Sequence, residues 1–241
     1  VSSNPKKNTA RPLRFSRQHG CQVTLHPVNA TQNEVLGEPA WSTVTDCPAP
    51  IDHAFIMVKT SLVMDQVEAC AKAGVKVVTI YSDGFGESGD QGMQLQNELV
   101  QRAAELGVRV VGPNSIGLAN LGSGLIMSVN AVFEADELTA GPVSLVSQSG
   151  SMMGSLLSRA AARGHGFAKT ISVGNECDVS VGDIIDVLVD DEATRVILLF
   201  LETIRDAAGL AQALERARLV GKPVIAYKLG RSEQGDALSQ S

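Results

Sequence analysis

Short apolar runs alternate with segments of helical periodicity through the first half of the chain. The apolar runs predict strands, and the segments between them, which place apolar residues at helical spacing, predict helices. The predicted strands are residues 22–25, 54–58, 76–80 and 109–111, and the predicted helices are residues 12–18, 61–73 and 92–106. Alternation at this spacing indicates right-handed βαβ units and a parallel sheet.

The alternation pauses over residues 118–140, a polar, glycine-containing stretch that predicts a linker with a short hairpin. It then resumes, with strands predicted at 143–146, 169–172, 195–201 and 223–228 and helices at 152–162, 181–189 and 207–219. The fold class is therefore α/β, with two domains that both contain parallel sheets. The predicted division is a first domain at 1–120, a linker at 121–141 and a second domain at 142–241. We expect the first strand of the first domain and the C-terminal part of the second to be incomplete.

Composition narrows the class of protein. With 44% hydrophobic and 19% charged residues, the chain has enough apolar surface for ordinary cores. Its net charge of -6 argues against a general nucleic-acid binder, and no apolar run approaches the roughly 20 residues that a membrane helix needs. We predict no metal site and a reduced, cytoplasmic protein, because the cysteines are scattered without metal-ligand spacing. They are Cys21, Cys47, Cys70 and Cys177.

A local basic cluster near the start contrasts with the acidic net charge. It consists of Lys6, Lys7, Arg11, Arg14 and Arg17. On charge alone, a solvated loop and helix face and a phosphate-binding role are equally open.

The stretch SLVSQSGSMMGS, residues 144–155, joins a predicted strand to a predicted helix. The first N–H groups of a helix lack intrahelical partners and carry partial positive charge. Together with Gly150 and the hydroxyls of Ser147, Ser149 and Ser151, they could hold a phosphate. A plain serine N-cap is the alternative. A hydrolase nucleophile elbow is disfavoured, because the G-x-S-x-G form and an available histidine base are both lacking.

Other loops after predicted strands also carry candidate residues, because ligands bind outside the C-terminal ends of parallel strands. Asn114 and Ser115 in GPNSIG offer short donors and acceptors, or form a rigid turn. The loop at 171–183 is acidic and is not expected to bind phosphate by itself. Glu202 ends the most apolar strand, where a carboxylate could orient a cationic or proton-donating group, or pair with Arg205.

Five motifs, in this order and spacing, resemble those of the nucleoside-diphosphate-forming (NDP-forming) acyl-CoA synthetases. This superfamily includes the α subunit of succinyl-CoA synthetase and the α part of ADP-forming acetate–CoA ligase. The motifs are GPNSIG, PVSLVSQSGSM, VGNECDV, ILLFLETIRD and KPVIAYKLGRSEQG, and HPVNATQNEVLGEPAWSTV resembles a further segment of the first domain. The resemblance covers essentially the whole chain. It implies a Rossmann-like CoA-binding domain followed by a flavodoxin-like domain of an acid–CoA ligase.

The resemblance also implies CoA-binding residues at the strand ends of the first domain. Lys6, Lys7 and Arg11 would meet the phosphate groups of CoA, and Asn114 and Ser115 would lie at its thiol end. The complete predicted set is Ser3, Asn4, Lys6, Lys7, Arg11, Pro27, Val28, Asn29, Val58, Lys59, Thr60, Ser82, Asp83, Gly84, Asn114 and Ser115.

In this family a phosphoryl group passes through a histidine, an acyl phosphate forms, and the CoA thiol displaces phosphate. SQSGSM resembles the start of a helix that cradles the phosphohistidine, and Glu202 resembles the glutamate that orients it. The implied phosphate-binding residues are Ser147, Gln148, Ser149, Gly150 and Ser151. The resemblance further implies a carboxylic acid substrate, and ATP and Mg²⁺ bound by a part not present here. The implied partner is an ATP-grasp domain or a β-type subunit, and a homo-oligomer is compatible with the resemblance.

The sequence departs from the family pattern at its end. Relatives continue after GRSExG into a segment resembling S-H-T-G that carries the histidine, whereas this sequence stops at Ser241. We therefore expect the phosphohistidine to lie outside this chain and the fragment to be inactive by itself. The alternative is a regulatory or scaffold CoA-binding module fused to an acyltransferase domain, although SQSG and Glu202 favour the ligase. A nicotinamide-dependent dehydrogenase is disfavoured, because no intact G-x-G-x-x-G is visible.

Overall fold

A computed structural model describes residues 1–230 and shows an α/β protein with two main sheets. Its strands are β1 (Glu34–Val35), β2 (Glu38–Pro39), β3 (His53–Ile56), β4 (Val77–Ile80), β5 (Arg109–Val111), β6 (Gly117–Asn120), β7 (Leu125–Ser128), β8 (Ala140–Ser147), β9 (Phe167–Ser172), β10 (Val196–Leu201) and β11 (Val224–Lys228). Its α-helices are α1 (Arg11–Gln18), α2 (Val63–Lys72), α3 (Asp90–Leu106), α4 (Gly150–Ala161), α5 (Val181–Asp190) and α6 (Ala207–Leu219). Within this range no helix combines the length and the hydropathy required to cross a bilayer.

The first main sheet contains three parallel strands in the order β3–β4–β5. These strands confirm the predictions near 54–58, 76–80 and 109–111. Helix α2 connects β3 to β4 and α3 connects β4 to β5, as the alternating pattern predicted. Val78, Ile80 and Leu99 are fully buried in the core that these elements share, so the helices pack directly against the sheet.

Residues 22–25 form no strand, so that prediction is wrong. A cavity of about 710 Å³ is lined by this segment and by β3, with Val23, Leu25 and Phe55 among its lining residues. The Gln22 N–H donates to the carbonyl of Ser123, in the turn between β6 and β7, at 3.3 Å. Val23 remains 44% exposed. An apolar pattern marks side chains that could be buried, whereas a strand also needs a neighbour that accepts and donates backbone hydrogen bonds.

The second main sheet has six strands in the order β11–β10–β8–β9–β6–β7. The strands predicted for the second half of the chain form its parallel part. The predicted hairpin, β6–β7, is present, but it extends this sheet because β6 pairs antiparallel with β9. The sheet is therefore mixed, and part of the predicted linker belongs to it. Gly117 permits this arrangement: its φ is +99°, and a Cβ there would lie 2.0 Å from the carbonyl oxygen of Met127.

Helix α1 packs against the second sheet, although it precedes the first sheet in the chain. Phe15 is fully buried in a cluster that includes Ile126 of β7, Leu145 of β8 and Met153 of α4. The Ser16 hydroxyl donates to the carbonyl of Ile126 at 3.2 Å and accepts the N–H of the same residue at 3.0 Å. The two halves of the chain therefore share a core.

The loops at the C-terminal ends of β5 and β9 lie side by side. The N–H groups of Asn175, Cys177 and Val179 donate to the carbonyls of residues 113, 112 and 110 at 2.9, 3.1 and 3.0 Å. Gly174 lets the loops approach closely, since a Cβ there would lie 2.2 Å from the carbonyl oxygen of Pro113. The strand ends at which ligands bind in parallel sheets therefore meet in one region of the molecule.

Truncating Phe15 tests whether α1 is part of the shared core. We expect Phe15→Ala to lower the free energy of unfolding by about 3–5 kcal/mol, because a fully buried ring leaves a cavity between α1, β7 and α4. The measurement is the shift of the denaturant midpoint. Met93→Ala is the control, since Met93 is 39% exposed on α3 and exposed truncations change stability by about 0.5 kcal/mol or less. Equal shifts for the two variants would show that α1 does not support the fold.

Candidate functional site

The N-terminus of α4 is open, in the sense that no side chain caps it. Ser149 is its N-cap residue, with an extended backbone (φ -88°, ψ 118°), but the serine side chain makes no capping hydrogen bond. The N–H groups of residues 150–152 have no acceptor in the part of the chain that the structure describes. Helices α5 and α6, in contrast, are capped by Ser180 and Asp206. Free N–H groups at the positive end of a helix dipole form an anion-binding site.

Ser147 and Gln148, which were predicted to bind phosphate, turn into the protein. Ser147 is fully buried, and its hydroxyl donates to the carbonyl of Ser149 at 2.7 Å. Gln148 is 8% exposed, and its side-chain oxygen accepts backbone N–H groups of the loop after β10. Ser149 and Ser151 remain accessible, with their hydroxyl oxygens 3.3 Å apart. An anion at this helix end would therefore meet the hydroxyls of Ser149 and Ser151 and the backbone at Gly150.

Residues that flank the β6–β7 hairpin fix the start of α4. The Asn130 side-chain amide donates to the carbonyl of Gly150 at 3.2 Å. A Cβ on Gly150 would lie 2.7 Å from Cγ2 of Ile116, and a Cβ on Gly154 would lie 2.7 Å from the Asn130 side chain. Both glycines therefore let the helix approach the hairpin more closely than an alanine would allow.

Glu202 lies beside this helix end because β10 and β8 are parallel neighbours, with Phe200 opposite Ser147. The Gln148 N–H donates to the carbonyl of Phe200 at 3.1 Å, so the two loops leave the sheet together. The Glu202 side chain is partly exposed and makes no hydrogen bond or ion pair with the other described residues, Arg205 included. The carboxylate is therefore available to a group presented at the α4 N-terminus.

A buried glutamate that the sequence did not single out supports both loops. Glu176, in the loop after β9, is 9% exposed. One carboxylate oxygen accepts from the Gln148 amide at 2.6 Å, and the other accepts the Val181 N–H, at the start of α5, at 2.7 Å. In the sequence it was one of two acidic residues in a strand-end loop, and nothing local distinguished it from a solvated carboxylate.

The predicted CoA-binding residues fall into two groups. In the first group, the N-terminal loop meets the loop at 27–29. The amino group of Val1 donates to the carbonyl of Val28 at 2.7 Å, and the Asn29 side-chain amide donates to the carbonyl of Val1 at 2.8 Å. The predicted residues of the N-terminal loop that are exposed are Ser3, Asn4, Lys6 and Lys7. Two basic side chains are thus accessible in this loop.

The second group joins the loops after β3, β4 and β5. The hydroxyls of Thr60 and Ser82 each donate to a backbone carbonyl of the neighbouring loop, at 2.7 and 2.5 Å. Asn114, with a left-handed φ of +56°, donates its N–H to the carbonyl of Ser82 at 2.9 Å. The exposed members of this group are Lys59, Asp83 and Asn114.

Three of the predicted CoA-binding residues differ in how accessible they are to a ligand. Ser115 is fully buried; its hydroxyl donates to the carbonyl of Ser172 at 2.5 Å and accepts the Gly117 N–H at 3.1 Å. Pro27 is buried. The half-buried Arg11 guanidinium donates to the carbonyl of Val129 at 2.9 Å, which leaves its other N–H donors for a ligand.

A polar cluster ties the second half of the chain to the loop at Gly84. The Asn175 side-chain amide donates to the Glu87 carboxylate, and to the side-chain oxygen of Gln96 at 3.0 Å. Glu87 also accepts the N–H groups of Gly84 and Phe85, at 2.5 and 3.1 Å. Burial alone would raise the pKa of Glu87, but the hydrogen bonds from Asn175 and from these backbone N–H groups hold its pKa below the ordinary value of 4.5.

The cysteines are all free. Burial raises the pKa of the Cys70 thiol to about 11 and that of the Cys177 thiol to about 12. A thiol reacts as its thiolate, so neither group is suited to act as a nucleophile at neutral pH.

Two family models match the chain and agree with the order of its parts. The CoA binding domain model matches residues 1–120, and the succinyl-CoA ligase like flavodoxin domain model matches residues 140–241. The fold and the site therefore define a class of protein in which a CoA-binding domain precedes a succinyl-CoA ligase-like domain.

Relatives and solved structures match nearly the whole chain. The subunit alpha of acetate–CoA ligase [ADP-forming] I from Pyrococcus furiosus is 34% identical over 241 residues, which is 98% of this chain and 51% of that protein. The 4-hydroxybutyrate–CoA ligase [ADP-forming] from Nitrosopumilus maritimus is 31% identical over 100% of this chain and 34% of its own length. The dinucleotide forming acetyl-coenzyme A synthetase 1 of Ca. Korarchaeum cryptofilum, in complex with phosphate and ADP, aligns with a TM-score of 0.90. This alignment has 32% identity over 99% of this chain and 50% of that one.

The chain belongs to the NDP-forming acyl-CoA synthetase superfamily, which confirms the resemblance found in the motifs. It spans about half the length of the Pyrococcus furiosus subunit and about a third of the Nitrosopumilus maritimus protein.

The polar cluster predicts a pH-dependent contribution to stability. Because Glu87 has a lowered pKa in the folded chain, its contribution is complete above 4.5 and is lost as the pH falls through the folded value. We therefore expect Glu87→Gln to reduce the acid sensitivity of the denaturant midpoint below about pH 4.5. Asn175→Ala removes a donor to the carboxylate and should reduce the same sensitivity. If plots of the denaturant midpoint against pH run parallel for the wild type and Glu87→Gln at acid pH, this assignment is contradicted.

Proposed function

We propose that this chain is the CoA-binding part of an NDP-forming acid–CoA ligase, which makes acyl-CoA from a carboxylic acid, CoA and ATP. ATP phosphorylates a histidine that lies outside this chain. The phosphohistidine then phosphorylates the carboxylate, and the CoA thiol displaces phosphate from the acyl phosphate. ATP and Mg²⁺ are bound by an ATP-grasp domain or β-type subunit that is also outside the chain. The ADP-forming ligases among the relatives support this proposal.

The observation that carries the proposal is the position of Glu202 beside the open N-terminus of α4. A phosphohistidine presents anionic phosphoryl oxygens and a second ring nitrogen that carries a proton. Free N–H groups at a helix N-terminus stabilise the oxygens, and a carboxylate accepts the ring N–H and so fixes the tautomer. A module that only binds CoA requires neither feature, which disfavours a role as a regulatory module fused to an acyltransferase.

The histidines of this chain are placed for other roles. His53 contacts the hydroxyl of Thr79 at 2.8 Å, and burial lowers its pKa to about 4. His19 contacts the carbonyl of Phe133 at 2.9 Å, and His26 packs edge-on against Trp41. His165 follows the C-terminal end of α4, about 18 Å along the helix from the open end at the usual rise per residue. A phosphoryl carrier from elsewhere in the enzyme fits this arrangement.

The CoA-binding role is supported by accessible lysines and by the position of Asn114. Lys6 and Lys7 are exposed in the N-terminal loop and Lys59 is exposed after β3, where they can meet phosphate groups. At the other end of the site, the side-chain amide of Asn114 lies 3.5 Å from the side-chain oxygen of Asn175. Asn175 precedes Glu176, which supports the loops after β8 and β10 through Gln148. CoA bound between these lysines and Asn114 would direct its thiol toward the N-terminus of α4. The free cysteines support a cytoplasmic location.

Calorimetry with CoA tests the site. We expect Lys6→Ala and Lys7→Ala each to weaken CoA binding by roughly three- to tenfold, with a smaller loss at high salt, because they remove charge-assisted contacts to phosphate. Asn114→Gly should also weaken binding, and glycine is used because it accepts the left-handed backbone that alanine would strain. Lys72→Ala, exposed at the end of α2, is the control. Unchanged affinity in the Lys6, Lys7 and Asn114 variants would place CoA elsewhere.

Phosphorylation of the complete enzyme with labelled ATP tests the mechanism. We expect an acid-labile label on histidine that is lost when a carboxylic acid and CoA are added together. Glu202→Gln should slow labelling by roughly tenfold or more, with CoA affinity unchanged, because the amide is a poorer partner for the ring N–H. Glu192→Gln, exposed in the loop before β10 and so at the opposite end of that strand from Glu202, is the matched control. A wild-type enzyme without histidine label would overturn the ligase proposal.

A further inference from the structure

We infer that Gln148 and Glu176 are positioning residues for Glu202. They touch neither CoA nor a phosphoryl group; they fix the backbone from which the Glu202 side chain extends. This inference rests on the proposed function, since it concerns the orientation of the phosphohistidine.

The Gln148 amide uses its full hydrogen-bonding capacity. Its oxygen accepts the N–H groups of Glu202 and Thr203, at 2.6 and 2.9 Å. Its nitrogen donates to the carbonyl of Thr203 at 3.1 Å and to the carboxylate of Glu176 at 2.6 Å. A side-chain amide has two donor protons and an oxygen that accepts two hydrogen bonds. The loop at 202–203 is therefore held through three backbone groups by a single side chain.

Glu176 determines which way that amide faces. Its carboxylate only accepts hydrogen bonds, so the nitrogen of Gln148 must point toward it and the oxygen must point toward the loop at 202–203. The second carboxylate oxygen is occupied by the N–H of Val181, at 2.7 Å, at the positive end of the α5 dipole. Glu176 is thereby fixed in its own position and cannot follow the amide if the amide rotates.

Glu176 occupies this position at an energetic disadvantage. Its φ is +53°, in the left-handed region that is unfavourable for a non-glycine residue. Its carboxylate is also withdrawn from water, at 9% residual exposure. Burial of a carboxylate is unfavourable unless its hydrogen bonds are made, and an apolar residue would fill the same space without that requirement. The arrangement is therefore more specific than packing alone requires.

Glu202 depends on this support because its side chain has none of its own. Its carboxylate makes no hydrogen bond with any residue between 1 and 230, so its location is set by the loop backbone and by its own rotamer. A displacement of about 1 Å in a catalytic group reduces rates by roughly a hundredfold. Loss of the Gln148 contacts should thus affect phosphoryl transfer and leave CoA binding intact.

The test compares single and reciprocal substitutions in the complete enzyme. Gln148→Glu places two acceptors opposite one another. Glu176→Gln has one side-chain oxygen for two donors, so its amide nitrogen faces either the Gln148 nitrogen or the Val181 N–H. We expect each to slow histidine phosphorylation by roughly tenfold or more, with the CoA dissociation constant unchanged within about twofold. The reciprocal double variant, Gln148→Glu with Glu176→Gln, restores the match between the two side chains but leaves the Thr203 carbonyl without its donor. Its rate should therefore lie between those of the single variants and the wild type. Gln212→Glu, at an exposed position of α6, is the matched control.

A second double variant addresses the case in which the single variants fold poorly. Gln148→Met with Glu176→Met keeps the side-chain volume and leaves no buried carboxylate without its partner. The backbone groups of residues 181, 202 and 203 lose their hydrogen bonds, so we expect a less stable chain that still folds. It nevertheless releases the loop at 202–203, and we expect its phosphorylation rate to stay low with CoA affinity intact. Wild-type rates in this variant or in both single variants would overturn the positioning role. A reciprocal variant no faster than the single variants would overturn it as well. Absence of histidine label in the wild-type enzyme would instead overturn the proposed function.

Discussion

The loop between β9 and α5 makes the contacts on which the functional parts of the molecule depend. Its backbone is hydrogen-bonded to the loop after β5, and Gly174 allows the close approach. Its adjacent side chains serve different partners. Asn175 holds the loop at Gly84 through Glu87, and Glu176 holds the cradle loops through Gln148. The proposed CoA edge and the proposed phosphoryl cradle are therefore fixed relative to one another by two consecutive residues.

The helix ends of the second sheet differ in how they are capped. Helices α5 and α6 have capping side chains, and such caps typically contribute about 1 kcal/mol. Helix α4 lacks one, although Ser149 occupies the N-cap position. The Ser147 hydroxyl is engaged with the carbonyl of Ser149. The free N–H groups are available for an anion, as the proposed phosphoryl-binding role requires.

The sequence predicted most elements of both sheets because their patterns are local. The run VILLFL is continuous because β10 is buried on both faces of a parallel sheet. The segment at 22–25 was wrongly predicted as a strand, and the β6–β7 hairpin was predicted but not its place in the second sheet. Both have one reason: sheet structure is defined by pairing partners, which lie far away in the sequence. The same limitation applies to α1, whose apolar face gave no sign that Phe15 packs against the second sheet.

At the candidate site, the sequence by itself determined where a cradle and an acidic partner would lie. A glycine- and serine-rich turn after a strand predicts an open helix end, and Glu202 ends the most apolar strand. Only the tertiary structure decided which side chains face that opening. Ser147, Gln148 and Ser115 point inward, whereas Glu176, which the sequence showed only as part of an acidic loop, is a buried support. Side-chain direction and burial depend on contacts between residues far apart in the chain, and a local pattern carries no information about those contacts.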